Sequence, residues 1–116
     1  MSRYTIYHNP RCSKSRNTLA LLEEHGVKPQ IILYLEDVPD LEELKSLLAK
    51  LGMTADQLVR RGEADYKACG LGKDSSADDI IRAMATHPKL IERPIVVKGA
   101  RAVLGRPPEN VLELID

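Results

Sequence analysis

Arg3-Tyr4-Thr5-Ile6-Tyr7-His8-Asn9-Pro10-Arg11-Cys12-Ser13-Lys14-Ser15-Arg16-Asn17-Thr18-Leu19 carries the signals that decide the fold. Across Arg3–His8, Thr5 and Tyr7 alternate with Tyr4 and Ile6, which predicts a strand. Asn9-Pro10 breaks it. A helix is expected from about Ser13 to His25, with Leu19 and Leu22 on one face and Gly26 where a left-handed C-terminal cap belongs. Beyond the cap, Gln30–Leu35 predicts a buried strand, because Ile31-Ile32-Leu33 suits a parallel strand covered on both faces. The opening third therefore reads strand, helix, strand, and a right-handed crossover follows from general rules.

The middle of the chain reads as helical. Asp40 with Glu43 makes an N-cap and capping glutamate, and Leu41, Leu44, Leu48 and Leu51 mark an apolar stripe before Gly52. Thr54 caps a short helix expected to run through Arg60 or Arg61 and to close at Gly62. A turn is expected at Cys69-Gly70-Leu71-Gly72. Ser76 then caps a helix that buries Ile80, Ile81 and Met84 and ends near His87-Pro88. After Pro94, Ile95-Val96-Val97 is a short strand, Lys98–Arg101 a hairpin turn and Ala102–Leu104 the return strand. Pro107 or Pro108 opens a last helix that holds Val111, Leu112 and Ile115. The order is βαβ, several helices, a β-hairpin and a terminal helix. It predicts an α/β fold with a four-stranded mixed sheet and helices on both faces.

Composition bounds the function. The 116 residues make one domain, with 43% apolar and 29% charged residues, as in an ordinary folded globule. Seventeen bases balance 17 acids, which argues against a nucleic-acid protein. The longest apolar run, Ile31–Leu35, is far too short for a membrane span. Residues 1–22 hold no secretory h-region, so the expected location is the cytoplasm, where Cys12 and Cys69 are free thiols. The neutral total hides a local excess: residues 1–22 carry Arg3, Arg11, Lys14 and Arg16 and no acid. That field surrounds Cys12 and attracts an anion.

Cys12 falls between the first strand and the first helix. A thiol at a helix N-terminus faces unpaired backbone N–H groups and the positive end of the dipole. Such settings lower a cysteine pKa from about 8.5 into roughly the 3.5–7.5 range. His8, Arg11, Lys14 and Arg16 are the candidate cations, and the Ser13 and Ser15 hydroxyls are candidate donors to sulfur. Cys12-Ser13-Lys14-Ser15 has serine where a dithiol site has its second cysteine, so the chemistry expected is monothiol. Arg60, Arg93 and Arg106 are candidate oxyanion ligands, since a guanidinium offers a planar fork of donors. Arg60 and Arg61 are adjacent, and sequence does not choose between them. Arg93-Pro94 before a strand is a candidate cis bond. His8, His25, His87, Cys12 and Cys69 form no zinc spacing, so no metal is expected. Cys69 is a weaker candidate, as a resolving thiol.

His8-Asn9-Pro10-Arg11-Cys12-Ser13-Lys14-Ser15-Arg16-Asn17-Thr18-Leu19 resembles the signature of the glutaredoxin-linked arsenate reductase (ArsC) family. Tyr34-Leu35-Glu36, His87-Pro88, Glu92-Arg93-Pro94-Ile95-Val96-Val97, Gly105-Arg106-Pro107-Pro108 and Val111-Leu112-Glu113 extend the likeness along nearly the whole chain. The resemblance implies a thioredoxin-like core with a helical insertion over about residues 40–91, within one domain of residues 1–116. It implies that Cys12 attacks arsenate, that His8 supports the thiolate and that Ser15 hydrogen-bonds it. Arg60, Arg93 and Arg106 would hold the oxyanion, within a field to which Arg16 contributes. Glutathione as co-substrate and glutaredoxin as partner would complete the reduction to arsenite, on a monomer that binds no cofactor. Two other functions remain open: a glutathione-dependent thiol reductase indifferent to arsenate, and a non-catalytic Spx-like regulator that binds RNA polymerase.

Overall fold

The computed structural model describes residues 4–115. The chain forms two compact units. One is built from residues up to Asp37 and from Arg93 onward, the other from Val38–Glu92.

In the first unit, strands β1 (Tyr4–Tyr7), β2 (Gln30–Ile32), β3 (Ile95–Lys98) and β4 (Arg101–Leu104) form a sheet in the order β2-β1-β3-β4. β1 runs parallel to β2 and antiparallel to β3, and β3 and β4 are the expected hairpin, so the sheet is mixed. Helix α1 (Ser13–Glu24) links the two parallel strands, and Gly26 follows it at a φ of 79°. Register sets Ile6 beside Val96 and Val96 beside Val103. Leu22 of α1 closes over this row with Val27, and with Val111 and Leu114 from a terminal 3₁₀ segment, Pro108–Leu114. Burying each such side chain contributes roughly 1.5–3 kcal/mol. The terminal segment is also tied down by polar bonds: Tyr4 Oη (3.1 Å) and Lys98 Nζ (2.8 Å) both donate to the Leu114 carbonyl.

Three expectations for this unit need correction. β2 is a sheet edge, and Ile31 is 48% exposed, so the apolar run is not covered on both faces. The strand also stops at Ile32, and Tyr34–Glu36 turns away with Tyr34 buried. The last helix is 3₁₀ rather than α, and its tighter repeat buries Val111 and Leu114 while leaving Leu112 exposed.

The second unit is helical. α2 (Leu41–Leu51) starts where the Asp40 carboxylate accepts the Glu43 N–H at 2.8 Å, and it buries Leu44, Leu47 and Leu48. Leu41, expected in the stripe, is exposed. α3 (Ala55–Leu58) is shorter than expected because Val59 pairs with Ile91 in an isolated β-bridge. The neighbouring bonds, Arg60 N–H to the Leu90 carbonyl (2.7 Å) and Glu92 N–H to the Leu58 carbonyl (3.1 Å), extend that pairing. Arg60 and Arg61 are therefore off the helix, contrary to expectation. A further short helix, α4 (Ala64–Ala68), precedes the turn at Cys69–Gly72. α5 (Ala77–Thr86) begins where Ser76 Oγ accepts the Asp79 N–H at 3.1 Å, and it buries Ile80, Ile81 and Met84.

Gly105 shows how tightly the first unit is assembled. A Cβ there would lie 2.5 Å from Thr18 Oγ1 and 2.9 Å from both Thr18 Cγ2 and Pro94 Cγ. Gly105→Ala is therefore expected to destabilise the protein by about 1–3 kcal/mol in chemical denaturation, through overpacking. Adding Thr18→Ala should restore part of the loss, and a Gly105→Ala protein as stable as wild type would show that the contact relaxes freely.

Candidate active site

The end of β1 builds the site. His8 still belongs to the sheet, since its N–H donates to the Ile32 carbonyl at 2.8 Å. Asn9 then turns the chain. Its side-chain Oδ1 accepts the Arg11 N–H and its carbonyl accepts the Cys12 N–H, both at 3.0 Å. This is an Asx-type turn, in which a short amide side chain copies a backbone acceptor. It delivers Cys12 to the N-cap of α1 in extended conformation (φ −95°, ψ 122°), and the Arg16 N–H donates to its carbonyl at 3.0 Å. The Arg16 guanidinium reaches back 2.8 Å to the Pro10 carbonyl and clamps the turn from the helix side.

Ser15 is fully buried, and its hydroxyl is committed to the loop rather than to sulfur. Oγ lies 2.6 Å from His8 Nδ1 and accepts the Asn9 N–H at 3.0 Å. What faces Cys12 is the Ser15 backbone N–H. Partial burial, the largest influence on the thiol, pushes its pKa up. The Ser15 N–H, the charge of Arg93, the Lys14 N–H and a hydrogen bond from Arg93 together outweigh it, so the Cys12 pKa ends below its ordinary value. His8 is not the cation expected from sequence. Burial first, then the charge of Arg16, pushes its pKa down, which leaves the imidazole neutral at pH 7.

Sheet register explains why two of the expected arginines share this region. Ile95 pairs with Leu104, and the Gly105 N–H donates to the Pro94 carbonyl at 2.9 Å, so Arg93 and Arg106 follow at the same open end of the hairpin. The peptide bonds Arg93-Pro94 and Arg106-Pro107 are both cis. Arg93 is half-buried and Arg106 is exposed. Arg60 lies in the second unit, where Glu63 Oε1 stands 2.9 Å from its Nη1 and Glu92 Oε1 3.8 Å from its Nε. Cys69 also lies in that unit, beside a cleft of about 340 Å³ that His87 and Arg82 help to line. Among the described residues, no group of three or more His, Cys, Asp or Glu is placed to hold a metal, and no helix is long and apolar enough to cross a membrane.

Sequence reasoning missed Asn9 and Asn110. Asn9-Pro10 was legible only as a strand break, although an Asn two residues before an N–H to be captured is itself a turn signal. Asn110 Nδ2 donates to the Leu104 carbonyl at 3.2 Å and to the Arg106 carbonyl at 3.1 Å. Nothing in its local sequence announces that role.

A parallel β-α-β unit with a thiol at the N-cap of its helix, and a hairpin whose leading arginine reaches that thiol, defines a thioredoxin-like protein of monothiol type. Comparison with known proteins narrows the class: residues 7–114 match the ArsC family, and the chain belongs to it. It is 53% identical over 112 residues to the uncharacterized protein YfgD of Escherichia coli (strain K12), covering 95% of this chain and 94% of that one. It is 48% identical over 112 residues to a Haemophilus influenzae protein named arsenate reductase, covering 95% and 97% of the two chains. The solved structure of an arsenate reductase from Vibrio cholerae superposes with a TM-score of 0.94 at 52% identity, covering 98% of each chain.

The lowered thiol pKa fixes a pH dependence. The folded value lies below the unfolded one, so the thiolate's contribution to stability is complete above the unfolded pKa. It is lost as pH falls through the folded one. Wild type should therefore gain stability relative to Cys12→Ser as pH rises from about 6 to about 9. Alkylation of Cys12 by iodoacetamide should titrate below about 8.5, and Arg93→Gln should move the midpoint up. An unshifted midpoint near 8.5 in wild type would remove the electrostatic account of the site.

Proposed function

We propose that this chain is an arsenate reductase in which Cys12 is the nucleophile. The observation that carries the reading is the thiol at the N-cap of α1, its pKa lowered by the Ser15 and Lys14 N–H groups and by Arg93. Kinship with proteins named arsenate reductase supplies the substrate.

The chemistry suits these residues. Arsenate is an anion at neutral pH and repels an attacking thiolate, so cationic donors lower the barrier most when they face the equatorial oxygens. Arg93 reaches the sulfur already, and Arg106 leaves the same end of the hairpin. Cys12 attacks arsenic and an oxygen leaves as hydroxide or water. Glutathione then adds its sulfur to the arsenic held on Cys12, and a second arsenic oxygen leaves with the thiol proton as water. Glutaredoxin takes up the glutathione sulfur as a mixed disulfide, and the two electrons released by joining two thiols convert arsenic(V) to arsenic(III). Water then breaks the bond between arsenic(III) and Cys12, giving oxygen to arsenic and a proton to sulfur, so arsenite departs and Cys12 returns as a thiol. His8 and Ser15 act by holding the loop, and Arg16 by clamping the Pro10 carbonyl and adding positive field. Arg60 is carried into the oxyanion set by the family resemblance. Glutathione and glutaredoxin place the reaction in a reducing, cytoplasmic setting, on a chain that acts as one domain with residues 40–91 as its helical insertion.

NADPH oxidation coupled through glutathione, glutaredoxin and glutathione reductase tests the reading. Arsenate-dependent turnover is expected in wild type and should vanish in Cys12→Ser. Arg93→Lys keeps the charge and loses the planar fork, so the KM for arsenate should rise by roughly tenfold. No turnover with arsenate, together with rapid deglutathionylation of mixed disulfides, would overturn arsenate as the substrate. Neither activity, together with capture of RNA polymerase subunits, would overturn the enzyme reading altogether.

A further inference from the structure

Three consecutive carbonyls leading into the Arg106 side chain are each held by a side chain. Leu104 and Arg106 accept from the Asn110 amide at 3.2 Å and 3.1 Å, and Gly105 accepts from Thr18 Oγ1 at 3.2 Å. The Gly105 N–H is also used, at 2.9 Å to the Pro94 carbonyl. A primary amide has two N–H donors, and here each meets its own carbonyl, an arrangement that neither a carboxylate nor a single hydroxyl can reproduce. Asn110 is half-buried, at the third position of the terminal 3₁₀ segment, which packs against α1. Its own N–H donates to the Pro107 carbonyl at 3.0 Å, so the residue closes the short loop that contains Arg106 from both ends. Thr18 does the same from the helix that carries Cys12, although its single proton is shared with the Lys14 carbonyl at 2.8 Å. On the third side, Gly105 lies so close to Thr18 and Pro94 that a Cβ there would clash with both.

We infer that Asn110 is a positioning residue: its amide fixes the backbone from which the Arg106 guanidinium extends, and thereby sets how tightly the site binds a tetrahedral oxyanion. The inference rests on the proposed role of Arg106 as an arsenate ligand. Arg106 is exposed, and its guanidinium stands at the end of a side chain anchored at one Cα, so the space the guanidinium can reach is set by where that Cα is held. Positioning of this kind matters because a displacement of about 1 Å in a binding group far exceeds what a hydrogen-bonded fork tolerates.

The experiment measures the arsenate concentration that half-protects Cys12 from iodoacetamide, together with the thermal midpoint. It uses the full chain and four proteins: wild type, Asn110→Ala, Arg106→Ala and the double variant. Asn110→Ala is expected to raise the half-protecting concentration by roughly tenfold, the scale of one lost positioning contact. In the Arg106→Ala background the same change should raise it no further, although the stability cost is the same in both. Asn110→Gln, which keeps the amide, should recover part of the affinity, and Asn110→Ser serves where the alanine variant does not fold. Unchanged protection in the folded Asn110 variants would overturn the inference, and so would an equal loss of affinity with and without Arg106. Should Arg106→Ala itself leave protection unchanged, the assignment of Arg106 fails and the inference falls with it, an outcome distinct from the first two.

Discussion

The Ser15 hydroxyl is bonded on two sides. The Asn9 N–H can only donate, so Oγ accepts there at 3.0 Å, and His8 Nδ1 lies 2.6 Å away on the other side. Which of that pair donates follows the histidine tautomer. Burial, then the charge of Arg16, lowers the His8 pKa and favours the neutral ring, which can take either role toward the hydroxyl. The neutral imidazole, the turn at Asn9 and the start of α1 are thus one arrangement. Because the hydroxyl is spent on the loop, the N–H of the same residue stays directed at Cys12, where it is the strongest of the influences that lower the pKa.

The sheet then decides what else can meet the thiol. β1 ends at Tyr7 opposite Ile95, the first residue of β3, so the turn to Cys12 and the entry to the hairpin lie at one end of adjacent strands. The two-residue loop between Lys98 and Arg101 returns the chain to that same end, which carries Arg106 after Gly105. The mixed sheet is what makes this possible. A parallel neighbour on one side of β1 requires the α1 crossover that presents a helix N-terminus, and an antiparallel pair on the other side brings arginines from both ends of a hairpin.

Most of the fold was legible because its boundaries are set by local chemistry: Asp40 and Ser76 as caps, Gly26 after α1, and prolines flanking the hairpin. What sequence could not show depends on distant partners. Ile31-Ile32-Leu33 looks like a buried strand, but only the strand order reveals that β2 has no neighbour on its outer side. α3 should have continued to Arg60 by its own pattern, and it stops because Val59 finds Ile91 thirty-two positions away. In the site, Cys12 could be read from its place between strand and helix. The division of labour within Ser15 could not, since it turns on where His8 lies across the loop. Asn110 left no trace because its acceptors are backbone carbonyls, which any sequence supplies.

A neutral His8 changes the character of the field at Cys12. The groups that stabilise the thiolate are backbone N–H dipoles and the charge of Arg93, rather than a histidine cation, whose charge would weaken as pH rises through the neutral range. Above the lowered His8 pKa the histidine adds no charge, and the thiol and the incoming oxyanion are the groups that change charge as pH rises. Attraction and reactivity then pull in the same direction as pH rises, because the thiolate fraction grows while an oxyanion gains negative charge. The upper limit comes from repulsion between the two anions. Arg93 counters it at the thiol itself, since both its charge and a hydrogen bond from it reach the sulfur.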